Sequence, residues 1–494
     1  MKINEEKIKN LLLLFMITYP IFDTRYFYNS ITTLIRIIVI FIIFFSVIIA
    51  NKESRKNLKW LIFYYILVII YIFFHHLNAL NFNSLVPGNF NYSLFKESLQ
   101  ILKLTTPVIF LYTLYYIKLT KEDYYKVIKS LVIIISGSII ILNILKLSYG
   151  SYNDEIILGN IFTWFTNHKF IYSELASKGL FMYANQISMI LLILLPIIYY
   201  LYIKNKKRND FLLIIILLIS ALMLGTRVSS YGTIIVFFML FWLYVFFSIE
   251  KKEFDLNKKI IINSLVITII YILLLPISPA NNRLNTYNNI SYKLTSNKQL
   301  ELVANNLNPS LIEVDKIEYI SNNYEEKRIH EKFILESYPY QYDPDFWYDI
   351  LQLPVNQRID YRFLEISMVK RVIEINNNPS DKLFGITNTR IQNIFNIERD
   401  FVLQYYAFGL TGLILFLGIY LYLLLFLFRQ WIINFNYVTS TGLLILFLYL
   451  GAAFVSGNII NHLSTNLMFM FVIIHFTKKT NNMTKVANEL KPID

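Results

Sequence analysis

The chain has 494 residues, of which 56% are hydrophobic and only 16% are charged, which excludes a soluble globular protein and requires a bilayer as its solvent. Its formal net charge of +13 comes from Lys and Arg in short clusters between apolar runs, not from one basic face, so nucleic acid is not an expected partner. It contains no Cys, which excludes disulfides and thiolate metal sites.

Twelve apolar runs predict an all-α polytopic membrane protein with about 12 transmembrane helices, because about 20 apolar residues in a helix cross the hydrocarbon core. The runs lie at residues 10–23, 31–50, 60–78, 98–117, 127–147, 179–203, 211–225, 231–249, 260–277, 401–428, 438–456 and 463–476. An even number of spans would place both termini on the same side of the membrane.

Positive charge is concentrated in alternate linkers between these runs. Clusters of Lys and Arg follow residues 51, 117, 203 and 250, whereas residues 78–94 contain neither. The positive-inside rule then predicts an inner (cytoplasmic) membrane protein with both termini in the cytoplasm. The predicted regions are an N-terminal membrane region of about nine helices (1–277), a large extracytoplasmic loop domain (278–400), C-terminal transmembrane helices (401–477) and a cytoplasmic tail (478–494).

The predicted loop domain differs in composition from the rest of the chain, since it is rich in Asn and in charged residues of both signs. We expect it to be mainly helical. Its clearest helical stretch places Arg358, Arg362 and Glu365 on one face, at spacings of four and three residues. Two guanidinium groups are therefore expected one helical turn apart.

Three cations lie within the apolar runs or at their ends, namely Arg36, Lys103 and Arg227. A cation at the middle of a bilayer costs about 2.5 to 3.5 kcal/mol on insertion scales, so it usually faces a partner or a wet cavity. Arg227 stands in a predicted tight turn at the outer surface, next to Thr226 and Ser229 and before the N-terminus of a helix. Such a corner suits a diphosphate, although an arginine at a span end can instead extend to lipid headgroups.

Motifs for other chemistry do not occur in the sequence. There is no HExxH pair or His cluster at helical spacing, no phosphate-binding Gly-rich loop and no nucleophile elbow. We therefore expect neither a metal nor another cofactor, and ATP is not an expected energy source.

Four strings occur in an order that resembles one family. They are Gly179 to Gln186 at the start of a span, Gly225-Thr226-Arg227 followed by Ser229, the helix from Arg362 that leads to Pro379 to Gly385, and Asp400 to Gly412 at the span after the loop. They are similar to the GLF-x-x-x-N segment, the T-x-S-R corner, the R-x-x-x-W helix with P-L-x-G, and the G-L-x-G stretch of bacterial O-antigen polymerases and O-antigen ligases. That family consists of membrane glycosyltransferases that move lipid-diphosphate-linked glycans.

The chain also departs from the ligase pattern. Ligases of the family carry a His-Asn pair just before the last string, where this chain has Glu398 and Arg399. The resemblance therefore favours a polymerase of polysaccharide repeat units over a ligase. The tryptophan of the loop helix and the Arg-x10-Gly pattern of some polymerases are also missing.

The resemblance implies a mechanism in which an acceptor hydroxyl attacks the anomeric carbon of a lipid-linked donor and polyprenyl diphosphate leaves. Fixed guanidinium groups would stabilise the leaving diphosphate, and a carboxylate would accept the hydroxyl proton. The expected catalytic residues are Arg227, Arg362, Glu365 and Asp400. The expected substrate-binding residues are Arg36, Arg358, Arg371, Glu398, Arg399 and Asn185, with Glu398 as a further candidate base.

The implied partners are polyprenyl-diphosphate-linked oligosaccharides and membrane lipids, together with a flippase and a chain-length regulator protein. The product would be an O-antigen, a capsule or a similar surface polysaccharide, made at the outer face of the cytoplasmic membrane. Two alternatives stay open, namely an en bloc ligase of the same family and a flippase or other transporter. A transporter usually shows related halves and short loops, whereas here one long insert has no second copy.

Overall fold

The computed structural model describes residues 5–86, 91–166, 170–286, 313–394 and 397–489. Residues 287–312, which belong to the predicted loop domain, lie outside the described residues, as does His168 between α5 and α6. Within the described residues the protein is all-helical, and the extended segments form only three isolated β-bridges. The all-α prediction is thus confirmed for this part of the chain.

Fifteen helices of seven or more residues are named here in chain order, and one further such helix, Asn388–Ile394, is left unnamed. They are α1 (Glu5–Thr18), α2 (Ser30–Ala50), α3 (Lys52–Leu80), α4 (Leu94–Tyr116), α5 (Lys121–Ile144), α6 (Ala184–Asn205), α7 (Arg208–Leu224), α8 (Thr233–Ile249), α9 (Lys258–Leu274), α10 (Glu313–Asn323), α11 (Pro344–Gln352), α12 (Tyr361–Asn376), α13 (Asp400–Ile433), α14 (Tyr437–Val455) and α15 (Leu463–Glu489). A π-helical turn, Val228–Gly232, precedes α8.

Every predicted apolar run coincides with one of these helices. Eight of them are long and apolar enough to cross a membrane: α2, α3, α5, α6, α8 with its π-helical turn, α9, α13 and α14. The helix α1, the helix α7 and the apolar part of α15 are shorter than 18 residues, and α4 is less apolar. The protein is a multi-pass membrane protein, and the count of twelve spans stays a prediction.

The chain folds into two compact units. The first comprises Met1–Leu61, Lys103–Leu284 and Ile419–Asp494. Its central helix is α6, whose apolar window is 94% buried because α5, α7, α8, α14 and α15 surround it. In contrast, only 22% of the window of α9 is buried, and residues such as Leu273 present apolar side chains outward, as a lipid-facing helix does.

The second unit comprises Ile62–Leu102 and Asn285–Gly418. The first part of helix α13, up to Gly418, belongs to this unit and is broken at Gly409, whose φ of +67° belongs to the left-handed region. A Cβ at this position would lie 2.3 Å from the carbonyl oxygen of Leu383, so only glycine permits the close approach. The N–H groups of Ile386 and Thr387 donate to the carbonyls of Tyr406 and Ala407 at 2.9 and 3.0 Å. Two of the strings noted in the sequence are therefore joined by backbone contact.

Buried polar groups hold the same part of the second unit. The Glu97 carboxylate accepts hydrogen bonds from the N–H groups of Asn388 and Thr389, at 2.9 and 2.8 Å. It also contacts Nε2 of His75 at 3.1 Å, and both side chains are 1% exposed. The carboxylate thus accepts hydrogen bonds from N–H groups at the start of the short helix Asn388–Ile394, which have no partner within that helix.

Candidate functional site

The turn after α7 is shaped by Gly225. This residue ends the helix with a φ of +67°, and a Cβ here would lie 2.8 Å from the Cβ of Ala176 and 2.9 Å from that of Pro279. Glycine is therefore required both by the backbone conformation and by the close packing. The chain reverses here and presents Thr226 and Arg227 between α7 and α8.

Buried hydroxyl groups fix this turn from inside. The Oγ1 of Thr226 lies 2.7 Å from Oγ of Ser188 on α6, and it donates to Oγ of Ser229 at 3.0 Å. The backbone N–H of Ser229 donates back to Oγ1 of Thr226 at 3.0 Å. The hydroxyls were expected to face a ligand, but they are buried and bonded to one another, so their function in the turn is to make it rigid.

Arg227 itself is exposed at the tip of this turn. Within the part of the chain that the structure describes, no side chain forms a hydrogen bond or an ion pair with its guanidinium. The following backbone is held by Tyr271, whose hydroxyl donates to the carbonyl of Ser230 at 2.7 Å. A cation thus extends from a rigid support at the surface of the protein, which is the arrangement that an anion-binding group requires.

The segment between α5 and α6 packs against the same turn. Tyr152 donates through its hydroxyl to the carbonyl of Gly225 at 2.7 Å, and Ser151 donates to that of Leu224 at 2.7 Å. The guanidinium carbon of Arg283 lies 4.3 Å from the ring centre of Tyr152. Burial raises the pKa of Tyr152, and the positive charges of Arg283 and, more weakly, Arg227 oppose that rise. The charges of both arginines therefore lower the pKa of the same phenol beside the turn.

Arg36 has a different environment in the same unit. Its side chain is 1% exposed, and Nη1 lies 2.9 Å from Oδ1 of Asp23 and 2.7 Å from Oγ of Ser464. Its Nε and Nη2 have no hydrogen-bond partner among the described residues, and the rings of Tyr19 and Phe22 lie beside the guanidinium, with centres 4.7 and 5.6 Å away. This geometry favours a structural role for Arg36 over the substrate contact expected from the sequence.

Three of the expected site residues come together in the second unit. Arg362 donates from Nε and Nη2 to Oε2 of Glu398, at 3.0 and 2.7 Å. Glu365 is 8% exposed, and burial together with the negative charge of Glu398 raises its pKa to about 8, although Arg362 opposes the rise. The cluster can therefore hold a proton near neutral pH, which is a property of general acids and bases.

The other expected residues of this unit are placed separately. Arg371 makes a two-pronged contact with Asp343 through Nε and Nη2, at 2.7 and 3.0 Å. Arg358 ends a separate short helix, Val355–Arg358, because the backbone leaves the helical conformation at Asp360, so the prediction of one helix shared with Arg362 is wrong. Arg358 is buried and donates from Nη1 to the carbonyl of Lys327 at 3.3 Å. Both guanidinium groups thus contact groups of the loop itself.

Three further expected residues lie at helix starts. Asp400 is the first residue of α13 and is fully buried, whereas Arg399 just before it is exposed. Asn185 is half-buried in the first turn of α6.

Among the described residues, no three His, Asp or Glu side chains are close enough to hold a metal ion.

A comparison with protein-family models matches residues 5–478 to the family described as O-antigen ligase like membrane protein. The chain belongs to this family. The match covers nearly the whole sequence, so the protein is a multi-pass membrane enzyme of the ligase and polymerase class, which transfers glycans in polysaccharide assembly. A search of curated proteins found no significant relative.

Sequence reasoning missed two residues that border the turn in this family member, Tyr152 and Arg283. They are separated by 131 positions, so no helical or strand period connects them. The only signal available was that Arg283 is a cation within a few residues of the end of an apolar run. Asp23 was missed in the same way, although it stands at the end of the first run.

Proposed function

We propose that this family member is a glycosyltransferase that polymerises lipid-diphosphate-linked oligosaccharide repeat units into a surface polysaccharide. The reaction would occur at the outer face of the cytoplasmic membrane. The observation that carries the proposal is the exposed guanidinium of Arg227 on a turn fixed by Gly225 and by the Thr226 to Ser229 hydrogen bonds. A rigid exposed cation at the end of a membrane helix suits the phosphate groups of a lipid substrate.

The proposed reaction is a substitution at the anomeric carbon. The acceptor hydroxyl oxygen forms a bond to that carbon, the bond from the carbon to the phosphate oxygen breaks, and polyprenyl diphosphate leaves with the bonding electrons. The hydroxyl proton passes to a base. Cleavage of the bond between the sugar and the diphosphate supplies the energy, so neither ATP nor a sugar nucleotide is consumed.

Arg227 would act on the leaving group in this reaction. Negative charge grows on the diphosphate as the bond breaks, and a guanidinium that is already in place stabilises that charge without reorganisation. Guanidinium also contacts two phosphate oxygens at once, which an ammonium group does not do with the same geometry. Replacement of Arg227 by Lys is therefore expected to impair the reaction.

Glu365 is the carboxylate that best suits the acceptance of the proton. With a pKa raised to about 8, it binds a proton more strongly than an ordinary carboxylate does. Arg362 and Glu398 would set its charge environment, since Glu398 raises the pKa and Arg362 lowers it. Asp400 is fully buried and is the weaker candidate, because burial separates it from an incoming hydroxyl.

Polymerase activity is favoured over ligase activity by the Arg362 to Glu398 ion pair. The position where the resemblance places a ligase histidine is occupied by Glu398, which is bonded to a guanidinium through two nitrogens. A carboxylate held in this way does not replace an imidazole that must exchange a proton. A flippase and a chain-length regulator protein are expected partners of a polymerase.

The test is polymerisation by the purified full-length protein in lipid vesicles, with a lipid-linked repeat unit as the sole glycan. The proposal predicts a ladder of longer glycans that stay attached to polyprenyl diphosphate, with one polyprenyl diphosphate released for each unit joined. Transfer of the unlengthened glycan to an added acceptor alone would identify a ligase. Movement of the substrate across the bilayer without a longer product would identify a flippase.

A further inference from the structure

We infer that Arg283, held over the ring of Tyr152, contacts the second phosphate of the leaving group and sets a preference for diphosphate over monophosphate lipids. The inference rests on the proposed function, in which Arg227 contacts the first phosphate. It assigns a binding role to a residue that no string of the sequence pointed out.

The position of Arg283 is connected to Arg227 by a short series of contacts. Tyr152 donates to the carbonyl of Gly225, which stands two residues before Arg227, at 2.7 Å. The guanidinium carbon of Arg283 lies 4.3 Å from the centre of the same Tyr152 ring and 5.8 Å from that of Tyr172. Arg283 is therefore separated from the backbone of the turn by little more than one phenol ring.

Neighbouring contacts hold the backbone around Arg283 in place. Asn282 donates from Nδ2 to the carbonyl of Phe170 at 3.3 Å, and Asn281 accepts a hydrogen bond from the hydroxyl of Tyr231 at 3.4 Å. Pro279 packs on Gly225, as the 2.9 Å distance to a Cβ there shows. The segment is thus fixed both to the loop before α6 and to the turn that carries Arg227.

The chemistry of the ligand explains why two cations are useful. A diphosphate carries its negative charge on two phosphorus centres, whereas a lipid monophosphate has only one. A guanidinium has five N–H donors, so contacts with Tyr152 leave donors for phosphate oxygens. With Arg227 on one phosphate and Arg283 on the other, the product diphosphate and the substrate are bound more tightly than any monophosphate.

The chain offers a matched control for Arg283. Arg25 is also stacked on a tyrosine of the loop before α6, with its guanidinium carbon 4.7 Å from the ring centre of Tyr149. Arg25 also forms an ion pair with Asp154 at 3.4 Å. Arg25 lies between α1 and α2, so its replacement by Ala removes a cation stacked on a tyrosine of this loop and leaves the turn at Arg227 unchanged.

The experiment measures binding of a short-chain polyprenyl diphosphate and of the matching monophosphate to the full-length protein in lipid nanodiscs. The wild type is expected to prefer the diphosphate. Arg283→Ala is expected to weaken diphosphate binding by about 10- to 100-fold and to leave monophosphate binding nearly unchanged, because one charge-assisted contact is lost. Arg25→Ala is expected to keep the wild-type preference.

Other outcomes separate the two proposals. If Arg283→Ala keeps the preference while Arg227→Ala loses binding of both lipids, the inference about Arg283 is overturned and the proposed function stands. If the wild type binds neither lipid and forms no polymer, the proposed function fails and the inference fails with it. Should Arg283→Ala not fold, Arg283→Lys provides the same test: a reduced preference supports the inference, and an unchanged one overturns it.

Discussion

Arg36 and Arg227 carry the same charge in the same unit, yet their surroundings are opposite. Arg36 is 1% exposed and its charge is neutralised by Asp23 at 2.9 Å. Arg227 is exposed, and no side chain among the described residues neutralises it. An arginine that the protein pairs with its own carboxylate holds helices together, whereas an arginine fixed on a rigid turn without a partner is available to an external anion.

The largest effect on stability is expected from replacement of Arg36. Replacement of Arg36 by Ala leaves the Asp23 carboxylate buried without a cation, so we expect a loss of about 3 to 5 kcal/mol in the free energy of unfolding. Thermal unfolding in detergent measures this change. The double variant with Asp23→Asn is expected to recover part of the loss, because no uncompensated charge is left. A stable Arg36→Ala protein that lacks only activity would instead indicate that Arg36 contacts the substrate.

Glu365 is a buried acid whose neighbour Arg362 is bonded to a second carboxylate, that of Glu398. Because its pKa is raised from its ordinary value to about 8, the base form is rare at pH 6 and predominates above pH 8. The polymerisation rate is therefore expected to rise with pH through this value. Glu365→Gln is expected to remove the rise and to lower the rate by about 100-fold.

The control for this pH profile is Glu374, which is exposed on the same helix α12. Glu374→Gln is expected to keep both the rate and its pH dependence. A wild-type profile that is flat between pH 6 and 9, or a Glu365→Gln protein with the wild-type profile, would exclude Glu365 as the proton acceptor.

The smallest expected effect concerns the support of the turn. Tyr152→Phe removes the hydrogen bond to the carbonyl of Gly225 but keeps the ring beneath Arg283, so we expect a loss of about 1 kcal/mol in stability. Thermal unfolding of the variant measures this loss. Binding of the polyprenyl diphosphate is expected to change less than in Arg283→Ala. A larger loss of binding in Tyr152→Phe than in Arg283→Ala would show that the hydroxyl itself contacts the ligand.

Apolar length predicted the helices well, because each run must satisfy its backbone within a helix in the membrane. It also located the turn at Arg227, since Gly225 and a cation stand between two runs. The sequence could not predict three contacts, namely those of Arg36 with Asp23, Arg362 with Glu398 and Arg283 with Tyr152. Their partners lie on different elements, and neither period nor spacing relates residues that only tertiary packing brings together.

The polymer length formed by Arg227 variants tests the central claim most directly. The experiment expresses three full-length variants at equal levels in a strain without the wild-type gene: Arg227→Ala, Arg227→Lys and the control Arg208→Ala. Arg208 is exposed at the other end of helix α7. We expect single, unpolymerised repeat units with Arg227→Ala, strongly shortened chains with Arg227→Lys, and normal chains with Arg208→Ala. Normal chain lengths with Arg227→Ala would contradict the account.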